Sequence, residues 1–125
     1  MLTLLVVDAA NVVGSVPDGW WRDRRGAARR LRDAIDPLAA AGLPDLPGPL
    51  EVVLVVEGAA RGVETIGSVR VEPAPHSGDD AIVALVAARR AESGEVVVVT
   101  ADRGLRDRVH ALGARTQGPR TLPYP

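Results

Sequence analysis

Leu2–Val7 is apolar but for Thr3 and runs straight into Asp8. A strand with one wet face alternates apolar with polar residues, so a nearly unbroken run this short reads as a strand covered on both faces, the situation of a parallel sheet. Leu50–Val56, interrupted only by Glu51, repeats the pattern and closes on Glu57 and Gly58. Val69–Glu72 and Glu95–Thr100 read as a third and fourth strand, and Ala114–Gln117 as a fifth at the edge. Between them, Ala28, Leu31, Ile35 and Leu38 form one apolar stripe of a helix expected from about Trp21 to Ala40, bent or shortened by Pro37. Further helices are expected over Asp79–Arg90 and from Asp102 to about Leu112, where Gly113 stops the chain turning. Strands alternating with helices predict a three-layer α/β/α sandwich, mostly parallel, of about five strands, with right-handed crossovers. A chain of 125 residues suits one such domain spanning 1–125, with a Pro-rich tail from about residue 118.

Composition narrows the chemistry. The chain has no Cys, which removes thiol nucleophiles, disulfides and Cys-ligated metals. It has no Lys either, all 15 basic residues being Arg, so Schiff-base chemistry and a Walker lysine are excluded. His76 and His110 form no HExxH pair, and no Gly-x-Ser-x-Gly surrounds a serine. No apolar run approaches the roughly 18 residues of a membrane span, and the expectation is a soluble, cytoplasmic protein without a membrane partner. What remains for chemistry is carboxylates, which serve protons and hard cations.

In an open parallel sheet the site lies beyond the carboxyl ends of the strands. Asp8 after the first strand, Glu57 after the second, the Asp79–Asp80 pair opening a helix after the third and Asp102 after the fourth all fall at that edge. Each has an ordinary reading: Asp8 or Glu57 ends a strand, Asn11 makes an Asx turn, Ser77 with Asp80 forms a capping box, and Asp102 caps its helix. Together they crowd like charge at one edge of a small sheet. A divalent cation bound by oxygen ligands, Mg²⁺ or Mn²⁺, relieves that repulsion.

The segments around these acids are familiar. Leu5-Val6-Val7-Asp8-Ala9-Ala10-Asn11-Val12 resembles the (hydrophobic)-D-x-x-N-(hydrophobic) opening of NYN domains, the PIN-like ribonuclease relatives that include the YacP-type proteins. Gly78-Asp79-Asp80-Ala81-Ile82-Val83 is similar to the acidic helix start of that group, and Val97-Val98-Val99-Thr100-Ala101-Asp102-Arg103-Gly104-Leu105 to its (hydrophobic)-[ST]-x-D-x-x-L motif. The resemblance spans roughly Leu2 to Gly113. It implies a PIN-like sheet of order 3-2-1-4-5 and metal-dependent cleavage of RNA. It also implies that Asp8, Asp80 and Asp102 are metal ligands, that Asp79 is a further ligand or holds water, and that Asn11 orients the metal-bound groups. Two departures stand out: Ala9-Ala10 replaces the glycine and polar or aromatic residues common after the first Asp, and Glu57 stands where YacP-type proteins usually carry Asp. The segment Gly58–Ser68 is too short for a full extra helix, which points to a groove that is shallow or completed by a second copy of the chain.

The expected reaction is phosphodiester hydrolysis by a metal-activated water. Two other readings use the same residues: a metal-dependent nucleotide pyrophosphohydrolase or phosphatase, and a non-catalytic RNA-binding or interaction module. Arg103 and Arg106, beside Asp102, are the best phosphate-binding candidates. Arg22, Arg25, Arg29 and Arg32 are expected on a solvated helix face, with Arg29/Asp33 and Arg32/Asp36 as i,i+4 ion pairs. Of the adjacent Trp20 and Trp21, one is expected to anchor the core and the other to stand exposed where it can stack on a base, with Trp20 a candidate substrate contact. With a formal net charge of -1, affinity for RNA has to come from local arginines.

Overall fold

The structure is a computed structural model describing residues 1–125. The first strand, β1 (Thr3–Asp8), leads without a loop into a short helix α1 (Ala9–Gly14). After a 3₁₀ turn at Trp20–Arg22 come α2 (Arg24–Ile35) and α3 (Leu38–Ala41), then a small hairpin of β2 (Gly42–Leu43) and β3 (Leu46–Pro47). The strand β4 (Leu50–Val56) is followed by a 3₁₀ turn at Gly58–Gly62 and by β5 (Val69–Pro73). The helix α4 (Gly78–Ala91), β6 (Val96–Val99), α5 (Arg103–Ala111) and β7 (Arg115–Gln117) complete the main sheet.

All five strands of that sheet are parallel, in the order β5-β4-β1-β6-β7. In strand sequence this is the order 3-2-1-4-5 implied by the resemblance. The chain leaves the central strand toward β4 on one side and later toward β6 on the other, so β1 and β6 flank the topological switch point. Both faces of the sheet are covered. Leu5, Val7, Val52, Leu54 and Val56 pack beneath α1, α2 and α3 in the larger core, while Leu4, Val6, Val53, Val55, Val96 and Val98 pack beneath α4 and α5. The near-continuous apolar runs are thereby explained, since alternate residues enter two different cores.

Several local expectations change. The helix expected over Trp21–Ala40 is two helices: Asp23 caps the first by accepting the Gly26 N–H at 2.9 Å, and Pro37 separates it from α3. The expected surface pairs Arg29/Asp33 and Arg32/Asp36 do not form. Arg32 is buried instead, bonding the Glu64 carbonyl at 2.8 Å and Asp33 at 3.0 Å, and the Asp36 carboxylate accepts the Ser68 N–H at 2.7 Å. Both side chains are spent tying α2 to the segment before β5. The Pro-rich tail docks through Leu122, which is buried in the larger core. No helix is long and apolar enough to cross a membrane.

Candidate carboxylate site

Asp8 ends β1 at the switch point, and its side chain is buried at 5% exposure. Because Val7 pairs with Val99 across the β1–β6 ladder, the next residues on each strand, Asp8 and Thr100, emerge side by side. The Thr100 hydroxyl donates to Asp8 Oδ2 at 2.8 Å, and the Asn11 N–H approaches Oδ1 at 3.4 Å as Asp8 caps α1. The loop after β6 is stitched to the same point. Asn11 Oδ1 accepts the Ala101 N–H at 2.8 Å, and Thr100 Oγ1 accepts the Asp102 N–H at 3.1 Å. Asp102 caps α5 through the Leu105 N–H at 2.8 Å. The D-x-x-N and T-x-D segments thus form one hydrogen-bonded unit.

Glu57 approaches from β4 and accepts the Gly78 N–H at 2.6 Å, at the start of α4. A Cβ on residue 78 would meet the Glu57 carboxyl at 3.3 Å, so glycine there gives the carboxylate its close seat on the helix. The next residue, Asp79, is half-buried.

Electrostatics link four of these acids. Burial pushes the Asp8 carboxyl from its ordinary 3.8 up to about 6; the Thr100 and Asn11 hydrogen bonds oppose the rise, and the charges of Asp79 and Glu57 add to it. Asp79 is also raised, first by burial, then by the charges of Asp102 and Glu57, with Arg108 opposing and Asp80 adding to the rise. Asp8, Glu57, Asp79 and Asp102 therefore share one field, and none of them is in an ion pair.

Asp80 stands apart. Its side chain is 69% exposed, and Oδ1 pairs with Arg108 at 3.1 Å. Its N–H is capped by Ser77 Oγ at 3.1 Å, as the capping-box reading expects. One residue of helix, about 100° of rotation, separates the acid that faces the cluster from the one that faces solvent. Arg103 is exposed and Arg106 half-buried at the start of α5, and neither has an acidic partner.

Beside the acids lies a cleft of about 340 Å³ whose floor includes Ala9, Ala10, Val13 and Ala28. Trp20, Arg24 and His76 also line it, and it shares Glu57 with the acid cluster. Trp20 is partly buried against the larger core with the Arg24 guanidinium 5.3 Å from its ring centroid, whereas Trp21 is 55% exposed. The sequence reading singled out neither Thr100 nor Arg108. The first was discoverable, because it occupies the Ser/Thr position of the third motif.

The donor chemistry is of the kind a hard divalent cation takes: carboxylate oxygens with no cationic side chain in an ion pair with them. No three acidic or histidine side chains converge to chelate an ion by themselves.

No family model matches the sequence, and no curated protein matches it. Among solved structures the chain is similar to Rae1 (YacP) from Bacillus subtilis, with a TM-score of 0.76 at 18% identity over 94% of this chain and 70% of that one. A tryptophan-to-leucine variant of the same protein gives a TM-score of 0.70 at the same identity and coverage. The fold built around Asp8 is thus shared with Rae1 (YacP), as the resemblance of the three acidic motifs implies.

Proposed function

We propose that this chain is a divalent-metal-dependent endoribonuclease, hydrolysing RNA phosphodiesters at the carboxyl edge of the sheet. The observation that carries the reading is the placement of Asp8, Glu57, Asp79 and Asp102 at the carboxyl edge of the sheet, in a fold similar to that of Rae1 (YacP), with Asp8 fixed by Thr100 and Asn11 and Glu57 seated on the start of α4. Bound Mg²⁺ or Mn²⁺ supplies a Lewis acid that lowers the pKa of water and neutralises the scissile phosphate. Asp8 and Asp79 are the residues assigned to hold it, with Glu57 and Asp102 completing the negative field; Asp80, paired to Arg108, is assigned a structural role.

The rest of the unit positions these groups. Thr100 fixes the Asp8 carboxylate and Asn11 ties the two loops together; within the protein the Asn11 side chain uses only Oδ1, leaving its NH₂ group to donate to a phosphate oxygen. Arg103 and Arg106 are free of acidic partners and supply positive charge to the RNA backbone at the start of α5.

The test is parallel incubation of labelled single-stranded RNA, structured RNA and nucleoside triphosphates with Mg²⁺, Mn²⁺ or EDTA. Metal-dependent RNA cleavage is expected. RNA cleavage that survives EDTA would overturn the metal requirement. Triphosphate turnover alone would reassign the site to free nucleotides, and RNA bound but never cut would make the chain a binding module.

A further inference from the structure

Small side chains hollow out the protein beside Asp8. Ala9, Ala10 and Ala28 are among the residues that line the cleft. The hollow is continuous with the acid edge, since its floor begins one residue after Asp8 and its rim includes Glu57. We propose that this cleft seats one unstacked nucleobase adjoining the phosphate handled at the carboxylates, with Trp20 as its aromatic wall and Arg24 as its cationic one. The choice of ligand rests on the nuclease reading above, but the binding is measurable without turnover.

Three observations support a base over other occupants. The volume, about 340 Å³, lies near the lower end of the ~300–1,000 Å³ typical of small-molecule sites, enough for a single ring system and far too little for a duplex. The lining is mainly apolar, yet it brings together an indole and a guanidinium, the two planar groups on which unstacked bases are most readily held. Finally, Arg24 lies over the Trp20 ring and has no carboxylate partner, so its charge stays available to a nucleotide. Trp20 and Tyr124 sit at the edge of the larger core, whose buried side chains are aliphatic, and the Trp20 side chain remains only partly buried.

The experiment uses Trp20 as its own reporter. The chain has two tryptophans, so Trp21→Phe leaves Trp20 as the sole indole. Its emission is titrated in EDTA with nucleoside 5′-monophosphates, a single-stranded hexanucleotide and ribose 5-phosphate. The nucleotides and the hexanucleotide should change the emission saturably, and ribose 5-phosphate should not. Ala10 is exposed on α1, so Ala10→Leu fills the cleft without entering the core. It should weaken nucleotide binding by about 5- to 150-fold, the range that one base–aromatic contact is worth. Trp20→Leu, followed by calorimetry, should do the same.

Equal binding of ribose 5-phosphate, or unchanged affinity in a folded Ala10→Leu protein, overturns the proposal. So does metal-dependent RNA cleavage with no Trp20 response to nucleotides or hexanucleotide, an outcome that leaves the nuclease reading standing. A base-dependent response in a protein that cuts nothing supports the cleft and rejects the nuclease reading instead.

Discussion

Thr100 and Asp8, ninety-two residues apart in sequence, are joined by a 2.8 Å hydrogen bond in which the hydroxyl donates to the carboxylate across the switch point. The same hydroxyl oxygen accepts the Asp102 N–H at 3.1 Å, so one small side chain fixes both the buried acid and the loop that carries the next one.

Thr100→Val keeps the shape and removes both roles. A hydrogen bond to a charged group contributes about 1.5–3 kcal/mol, and a destabilisation of that order is expected at pH 8 in EDTA, where Asp8 is ionised. At pH 5 the loss should be smaller, because the carboxyl is mainly protonated. Thr100→Ser should recover most of it. Urea denaturation of the three proteins at both pH values decides the matter; a valine variant as stable as the parent at pH 8 would mean the hydrogen bond contributes nothing.

Asp8 itself opposes folding above neutral pH. Its carboxyl rises from 3.8 to about 6 on folding, so between those values the native state holds a proton that the unfolded chain has released. Stability from this group is therefore fully present below 3.8, is lost as pH rises from there through about 6, and changes little beyond it. The displacement corresponds to at most roughly 3 kcal/mol. In EDTA, Asp8→Asn should be more stable than the parent at pH 7.5 by about 1–3 kcal/mol, and the advantage should vanish near pH 4. An asparagine variant less stable at both pH values would show that the carboxylate is held by more than Thr100 and Asn11.

The paired acids at the start of α4 should behave differently despite being neighbours. Asp79→Asn removes a charge from the shared field and is expected to reduce metal-dependent RNA cleavage by about 10- to 100-fold or more. Asp80→Asn breaks an exposed pair with Arg108, and such pairs contribute about 0–1 kcal/mol, so both activity and stability should stay close to the parent. Cleavage rates of the two variants at matched Mn²⁺ concentration test this. An inactive Asp80→Asn beside an active Asp79→Asn would return Asp80 to the ligand set.

The same pair shows where sequence was informative and where it stopped. The parallel sheet was legible because the nearly apolar runs Leu4–Val7, Val52–Val56 and Val96–Val99 alternate with helical stretches, while the strand order came from the resemblance of the three acidic motifs. The neighbourhood of Asp8 and Asp102 followed from the order that the resemblance implies. Which of Asp79 and Asp80 faces the site depends on a rotation of about 100° per residue, set by where the Ser77 cap starts the helix, and the motif spacing does not resolve it. The α2 arginines failed for a related reason. The i,i+4 rule pairs Arg32 with Asp36 on an isolated helix, but tertiary contact with Glu64 and Ser68 satisfies both groups first. The short helix α1 left no periodic signal, since six residues (Ala9–Gly14) make less than two turns, and the cleft it borders is made by the absence of side-chain bulk.

With a formal net charge of -1, the protein's overall field gives RNA little attraction, and binding should depend on the few arginines near the carboxylate edge. Arg24 lines the cleft and Arg103 follows Asp102 directly, and neither is in an ion pair. By contrast, Arg90 lies in the last turn of α4, at the far end from the site, where it bonds the Leu112 and Gly94 carbonyls and pairs with Glu95 at 3.8 Å. For single-stranded RNA, removing one arginine–phosphate interaction should reduce the slope of log affinity against log salt by about 0.7. Arg24→Ala and Arg103→Ala should each flatten the slope by about that amount and weaken binding, whereas Arg90→Ala should alter stability but not the slope. Filter binding of a short single-stranded RNA across a salt series, in EDTA and in Mg²⁺, makes the comparison. If Arg90→Ala flattens the slope while Arg24→Ala and Arg103→Ala leave it unchanged, RNA lies on a different face from the one the carboxylates define.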